Sequence, residues 1–271
     1  EKYENAREKF KEHLNASSTK EIIFTSGTTH SINLVANGFT NSLKSGDEII
    51  VSQLEHHSNI VPWQMLCEKT GAVMKVIPMN NLGELNINAY EALLTNKTKV
   101  VFVNHVSNAL GTVNPIEQII EKAHQYGAKV LIDGAQAVPH FHVDVKKLDV
   151  DFYVCSAHKL CGPTGVGILY GKQEILEELP PYQGGGEMIK DVSFKKTTYA
   201  KLPHKFEAGT PNIEGVIGWG VAIDWLNGIG IENIQLHENE LLKYATEKMR
   251  EISEVVFYGE AKEKRHRRQW L

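Results

Sequence analysis

Seven short runs rich in Val, Ile and aromatic residues punctuate the first two thirds of this chain. They are EIIFT (21–25), EIIVSQ (48–53), AVMKVIPM (72–79), KVVFVNHV (99–106), KVLIDG (129–134), DFYVCSA (151–157) and VGILYG (166–171). Several are almost unbroken in apolar character, as strands buried on both faces of a sheet must be. Helical patterns lie between them. Ser31–Phe39 follows the first run and Pro62–Lys69 the second, while Ile116–Tyr126 places Ile116, Ile119, Ile120 and Ala123 on one face. For that helix the sequence predicts Asn114 as N-cap, Pro115 at N1 and Gly127 at C′. Ahead of the first strand, Tyr3, Ala6, Phe10 and Leu14 recur at helical spacing and predict an amphipathic helix over Glu1–Asn15. Alternation of this kind predicts an α/β fold, a seven-stranded, mainly parallel sheet flanked by helices.

After Gly171 the pattern loosens. Pro180–Gly186 is a Pro/Gly-rich loop, and Met188–Phe206 is polar with weak strand signals. Helix-like stretches follow at 214–227 and 231–252. No internal repeat or low-complexity tract interrupts the chain.

Composition narrows the function. With 42% hydrophobic and 23% charged residues in 271, a core can be buried and disorder is excluded as the main state. A net charge of −4 argues against a nucleic-acid protein. No apolar run approaches the roughly 18 residues of a membrane span. The charged opening EKYENAREKF gives no signal peptide, and three cysteines fit a reducing compartment, so a cytoplasmic location is expected. Glu1 stands in mid-helix, and AKEKRHRRQWL at 261–271 is an abrupt basic run. Both features point to a fragment.

In open α/β sheets ligands bind beyond the carboxyl ends of the strands. The first strand is followed by Ser26-Gly27-Thr28-Thr29 and a helix start, which suits a phosphate. Plain N-capping by Thr28 or Ser26 explains those four residues equally well. The second strand leads to Glu55-His56-His57. Adjacent histidines on a strand point apart and no further ligands flank them, so no metal is expected. The fourth ends in His105-Val106-Ser107-Asn108, the fifth in Asp133-Gly134-Ala135-Gln136 and the sixth in Ser156-Ala157-His158-Lys159. An Asp at the end of an apolar strand is costly unless a cation joins it. A partly buried Lys loses its proton readily and can bond a carbonyl carbon. A structural salt bridge between Asp133 and Lys159 is the plainer alternative. It leaves Gln136, Ser156, His158 and the Gly-Thr-Thr set unexplained. An Asp for a pyridinium nitrogen, a reactive Lys and a phosphate cup together suit pyridoxal phosphate.

These segments resemble the class V aminotransferase family of fold-type I pyridoxal-phosphate enzymes. Within it they are most similar to the Suf-type (group II) cysteine desulfurases and the selenocysteine lyases. The matching stretches are TSGTTHSINLVANGF (25–39), EHHSNIVPWQML (55–66), HVSNALGTVNPI (105–116), VLIDGAQAVPH (130–140), CSAHKLCGPTGVGILYG (155–171), PPYQGGGEMI (180–189) and FEAGTPNI (206–213). They run in family order and extend to about Lys264, after which the tail departs from the pattern.

The resemblance implies an aspartate-aminotransferase-like large domain over residues 1–225 and the start of a small domain over 226–271. It implies pyridoxal 5'-phosphate held by Lys159, with Asp133 on the ring nitrogen and His56 against the ring. Gln136 would bond the phenolic oxygen, and Thr28, Thr29, Ser156 and His158 the phosphate. Asn108 would lie near the cofactor oxygen and the substrate carboxylate. Thr210 would reach the phosphate of a second subunit, which implies a homodimer. Lys159 and His56 would be the catalytic pair, with L-cysteine or L-selenocysteine as substrate. The products would be alanine and a persulfide for iron–sulfur cluster assembly, passed to a SufE/SufU-like acceptor. The nucleophilic cysteine and the carboxylate-binding arginine of the family match nothing here. Cys67 falls in a helix, and Cys155 and Cys161, flanking the Lys motif, are expected to be buried and inert.

Overall fold

The computed structural model describes residues 1–258. The basic tail after Lys264 lies outside them. Seven strands form one sheet: β1 (Ile22–Thr25), β2 (Glu48–Ser52), β3 (Val73–Ile77), β4 (Thr98–Asn104), β5 (Lys129–Asp133), β6 (Phe152–Ser156) and β7 (Gly167–Gly171). Their order is β1-β7-β6-β5-β4-β2-β3. All neighbouring pairs are parallel except those of β7, which runs antiparallel to both β1 and β6. Each predicted run therefore became a strand of the predicted sheet.

Strand alternation divides the core into two layers. On one face Ile22, Phe24, Val101, Val103, Ile132 and Tyr153 pack under α1 (Lys2–His13), α5 (Ile116–Gln125) and α8 (Ile213–Ile229). On the other, Ile23, Ile49, Phe102, Leu131 and Val154 pack under α2 (Thr28–Gly38), α3 (Val61–Thr70) and α7 (Gln173–Glu178). Three short helices were not read from the sequence: α7, which starts after Lys172 with no side-chain cap, and α4 (Ile87–Leu93) and α6 (Val145–Leu148). Of these, α4 and α6 are the two whose starts are marked. Each begins at a polar N-cap, Asn86 and Asp144, but is too short to show a period. The polar stretch after Pro180 contains a hairpin, β8 (Ile189–Val192) with β9 (Thr197–Tyr199), and α9 (Ile231–Arg250) follows α8 directly.

The start of α5 differs from expectation. Pro115, not Asn114, holds the N-cap position, and no side chain caps the helix. The Asn114 amide donates instead to Asn104 O at 2.8 Å and Asn104 Oδ1 at 2.5 Å, binding the end of β4. At the other end Gly127 takes the expected left-handed conformation, φ +72°.

The buried stripe of α1 contains one residue that periodicity did not flag. Arg7 is fully buried. Its Nη1 donates to Ile22 O at 2.8 Å and to Glu207 Oε1 at 2.6 Å, and Nη2 donates to Glu207 Oε2 at 2.9 Å. Nε donates to Glu4 Oε2 at 2.9 Å, and the guanidinium lies 4.5 Å from the Phe24 ring centre. Glu207 Oε1 also accepts from Phe24 N at 2.7 Å. One ion pair thus ties α1, β1 and the loop ahead of α8 together.

Candidate functional site

Four strand ends and one helix start converge on a cavity of about 200 Å³. Thr28 and Thr29 come from the start of α2, His56 and Ser58 from the turn after β2, and Asn104, Val106 and Asn108 from the end of β4. Asp133, Ala135 and Gln136 follow β5; Ser156, His158 and Lys159 follow β6. The fold therefore gathers every expected site residue except Thr210. That residue is exposed and lines a separate cavity of about 600 Å³ with Ser26, His30, Tyr182 and Glu207; Thr29 borders both spaces. Asn104 and Ser58 were missed, although Asn104 is the first polar residue after an apolar run.

The start of α2 is a backbone feature. Gly27 occupies the N-cap at φ +144°, where a side chain would be strained, and no side chain caps the helix. Ser26 Oγ turns to His30 Nδ1 at 3.1 Å, so neither alternative cap is used. Thr28 N donates to Ser156 Oγ at 2.8 Å, and the two hydroxyls are 2.7 Å apart. A Cβ on Gly167 would stand 2.4 Å from Gly27 Cα, so β7 abuts this turn backbone to backbone. The result is an eleven-residue helix whose positive end forms one wall of the cavity.

Asp133 lies on the floor, 5% exposed. Its Oδ1 accepts from Ala135 N at 3.0 Å, and among the described residues no cation pairs with it within 4 Å. The plain salt bridge to Lys159 is therefore not made. Burial pushes the Asp133 carboxyl above the usual range, while the Ala135 N–H and the charges of Lys159 and His56 pull against it. A cation entering the cavity would relieve that burial cost. Beneath the turn, Tyr153 Oη is hydrogen-bonded to His105 Nδ1 at 2.9 Å. A Cβ on Gly134 would meet the Tyr153 ring at 1.9 Å. Gly134→Ala is accordingly expected to destabilise the chain by at least about 1–3 kcal/mol through overpacking. A lowered urea midpoint checks this.

The histidines do not lie on the strand as expected. β2 ends at Ser52, and His56 starts a single 3-10 turn over His57–Asn59. The two rings are exposed, with centres 5.9 Å apart. His56 Nδ1 accepts from Ser58 N at 3.1 Å, so in the neutral ring the proton sits on Nε2. The preceding Glu55 is buried. Its Oε1 accepts from Asn104 N at 2.8 Å and from the Ser52 hydroxyl, and its Oε2 accepts from Asn59 Nδ2 at 2.6 Å. Asn59 Oδ1 in turn accepts from Trp63 Nε1 at 3.0 Å.

Of the cysteines, Cys155 is buried as expected, and burial with the nearby Asp133 charge pushes its thiol up to about 12. Cys161 departs from expectation. It is exposed, in a left-handed turn at φ +55°, because the chain leaves the sheet after the 3-10 turn Ala157–Lys159. Cys67 is half-buried in α3.

The family model described as Aminotransferase class-V matches residues 1–269. A cysteine desulfurase of Enterobacter sp. (strain 638) is 51% identical over 261 residues, which are 96% of this chain and 64% of that protein. The chain thus spans about two thirds of the length of the curated relatives it matches. Among solved structures, the cysteine desulfurase CsdA of Escherichia coli superposes with a TM-score of 0.90 at 43% identity, over 92% of this chain and 63% of that one. The apo cysteine desulfurase of Thermococcus onnurineus NA1 superposes with a TM-score of 0.93 at 37% identity, over 97% and 66%.

Proposed function

The chain belongs to the aminotransferase class-V family, and on that footing we propose that it is the cofactor-binding part of a pyridoxal-phosphate cysteine desulfurase. The observation that carries the proposal is Asp133, a buried acid that no cation pairs with within 4 Å among the described residues, facing a cavity that also receives Lys159 and an uncapped helix start. That donor set fits pyridoxal 5'-phosphate group by group. Asp133 suits a protonated ring nitrogen. The α2 start with Thr28, Thr29, Ser156 and His158 suits the phosphate. Gln136 suits the phenolic oxygen, and His56 covers the ring. When bound, the cofactor supplies a sink for the charge left at the substrate α-carbon.

Lys159 Nζ would hold the cofactor covalently and, as a free amine when substrate is bound, would take and return the α-proton. Holding a negative charge beside the ring is the task of Asp133. Asn108, exposed at the mouth, is placed to receive a substrate carboxylate. Thr210 carries no side-chain hydrogen bond among the described residues and stands apart from the cavity. We assign it to the phosphate of a second subunit, which makes the assembly a homodimer. We assign residues 1–225 to the large domain and the described residues from 226 onward to the start of the second, with the division inside α8. In the family chemistry the sulfur of L-cysteine passes to a cysteine that the resemblance places in the part of the relatives this chain does not span. From there it goes to a SufE/SufU-like acceptor for iron–sulfur clusters. Among the described residues no helix is long and apolar enough to cross a membrane, which accords with work in the cytoplasm.

The test is direct. The purified chain given pyridoxal phosphate should turn yellow, keep the cofactor through denaturation after borohydride, and elute as a dimer. A folded chain that stays colourless overturns the cofactor assignment; a monomer of full cofactor affinity overturns the role of Thr210. In the full-length protein, turnover of L-selenocysteine without matching turnover of L-cysteine would favour a selenocysteine lyase.

A further inference from the structure

Glu55 belongs to no step assigned above, yet it is buried directly beside the site. Its neighbours are arranged around one strand end. Asn104, the last residue of β4, pairs in register with Asp133 on β5 and donates its N–H to Glu55 on the other side. The Asn104 side chain lines the cavity, held by Asn114 and donating to Leu54 O at 2.5 Å. Two buried acids thus flank a single wall residue. His56, which follows Glu55 in the chain, forms the next part of the wall.

We propose that Glu55 is a positioning residue whose charge competes with that of Asp133 across Asn104, so that the site holds one negative charge readily and two only once a cation has entered. This rests on the proposed cofactor, whose ring nitrogen is that cation. Three donors reach the carboxyl: the Ser52 hydroxyl from β2, the Asn59 amide from the following turn and the Asn104 N–H from β4. The charged group that bears on it is Asp133 from β5. Asp133 itself is faced by Lys159 and His56. Burial pushes Glu55 up to about 8, and the Asp133 charge adds to that, against the three donors.

The sign follows from linkage. A carboxyl raised in the folded state gives its full stabilising contribution below the unfolded value of 4.5, and the contribution is lost as pH rises towards about 8. A cation beside Asp133 lowers the cost of ionising Glu55. The loaded chain should therefore lose less stability over that range than the cofactor-free chain.

The experiment compares urea midpoints of the wild-type chain and Glu55→Gln, each free and loaded with pyridoxal phosphate, between about pH 5 and about pH 8. The free wild type should lose stability across the range, the loaded wild type less, and free Glu55→Gln should be markedly flatter. The pH midpoint of the visible band should also move in Glu55→Gln, a readout that a purely structural role leaves unchanged. Should Glu55→Gln fail to fold, Asn59→Ala serves in its place. Removal of a donor to Oε2 should then steepen the fall and shift the band midpoint. The same pH slope and the same band midpoint in the variant and in wild type overturn the proposal. A wild type that takes up no pyridoxal phosphate overturns the cofactor assignment, and the free chain still decides the pairing: Glu55→Gln should change the pH slope less in an Asp133→Asn background, and an equal change overturns it.

Discussion

Lys159→Ala should bind pyridoxal phosphate without fixing it. After borohydride and denaturation the wild-type chain retains the reduced pyridoxyl group on Lys159, and the variant releases the cofactor. The phosphate contacts survive, because Thr28, Thr29, Ser156 and His158 come from other positions around the cavity. The affinity loss should therefore be modest beside the loss of chemistry. Exchange of the α-proton of L-cysteine into deuterated water needs a base at that position. Removing a placed general base costs about 10²–10⁴-fold. The variant should exchange that much more slowly, and added ethylamine should restore part of the rate. Exchange at the wild-type rate would show that another group moves the proton, and His56, exposed at the same cavity, would be the next to test.

Arg7→Ala carries the largest expected effect on stability. The guanidinium is fully buried, and its loss strands Glu207, whose side chain is 8% exposed. Removing one partner of a buried pair costs about 3–5 kcal/mol, because the remaining charge stays out of water. The urea midpoint should fall accordingly. Combining Arg7→Met with Glu207→Gln removes both charges and keeps an acceptor for Phe24 N. The double variant should recover much of the loss, as pairs exchanged together for neutral groups often do. If the single and double variants are equally unstable, the damage is lost packing against Phe24 and not a stranded charge.

Where the sequence spoke clearly, it spoke through period and composition. The buried strands announced themselves because both faces are covered, and the cavity residues because polar groups follow those strands. What stayed hidden depended on partners far away in the chain. Asn114 looks like a cap, but its Nδ2 donates to Asn104 and its Oδ1 accepts from no helix N–H. Arg7 looks like a surface residue until Glu207 arrives. Cys161 seemed buried by its neighbourhood, yet the chain has already left the sheet there. Glu55 stood in the sequence only as the neighbour of two histidines after the second strand, since neither Asn59 nor Asn104 shows from the sequence alone that it will donate to it. Capping and burial are settled by tertiary competition, which local pattern does not contain.

The sheet order also governs the timetable of folding. In the sheet β1 bonds to β7 alone, with Ile22 opposite Tyr170. On the ribosome, at about 5–20 residues per second, the first strand therefore waits on the order of ten seconds for its mate. Throughout that interval IIFT is an apolar segment with open hydrogen-bonding edges, which is what holding chaperones grip and aggregates recruit. The preceding α1, with three Lys and an Arg among its twelve residues, keeps that waiting strand beside a charged and soluble flank.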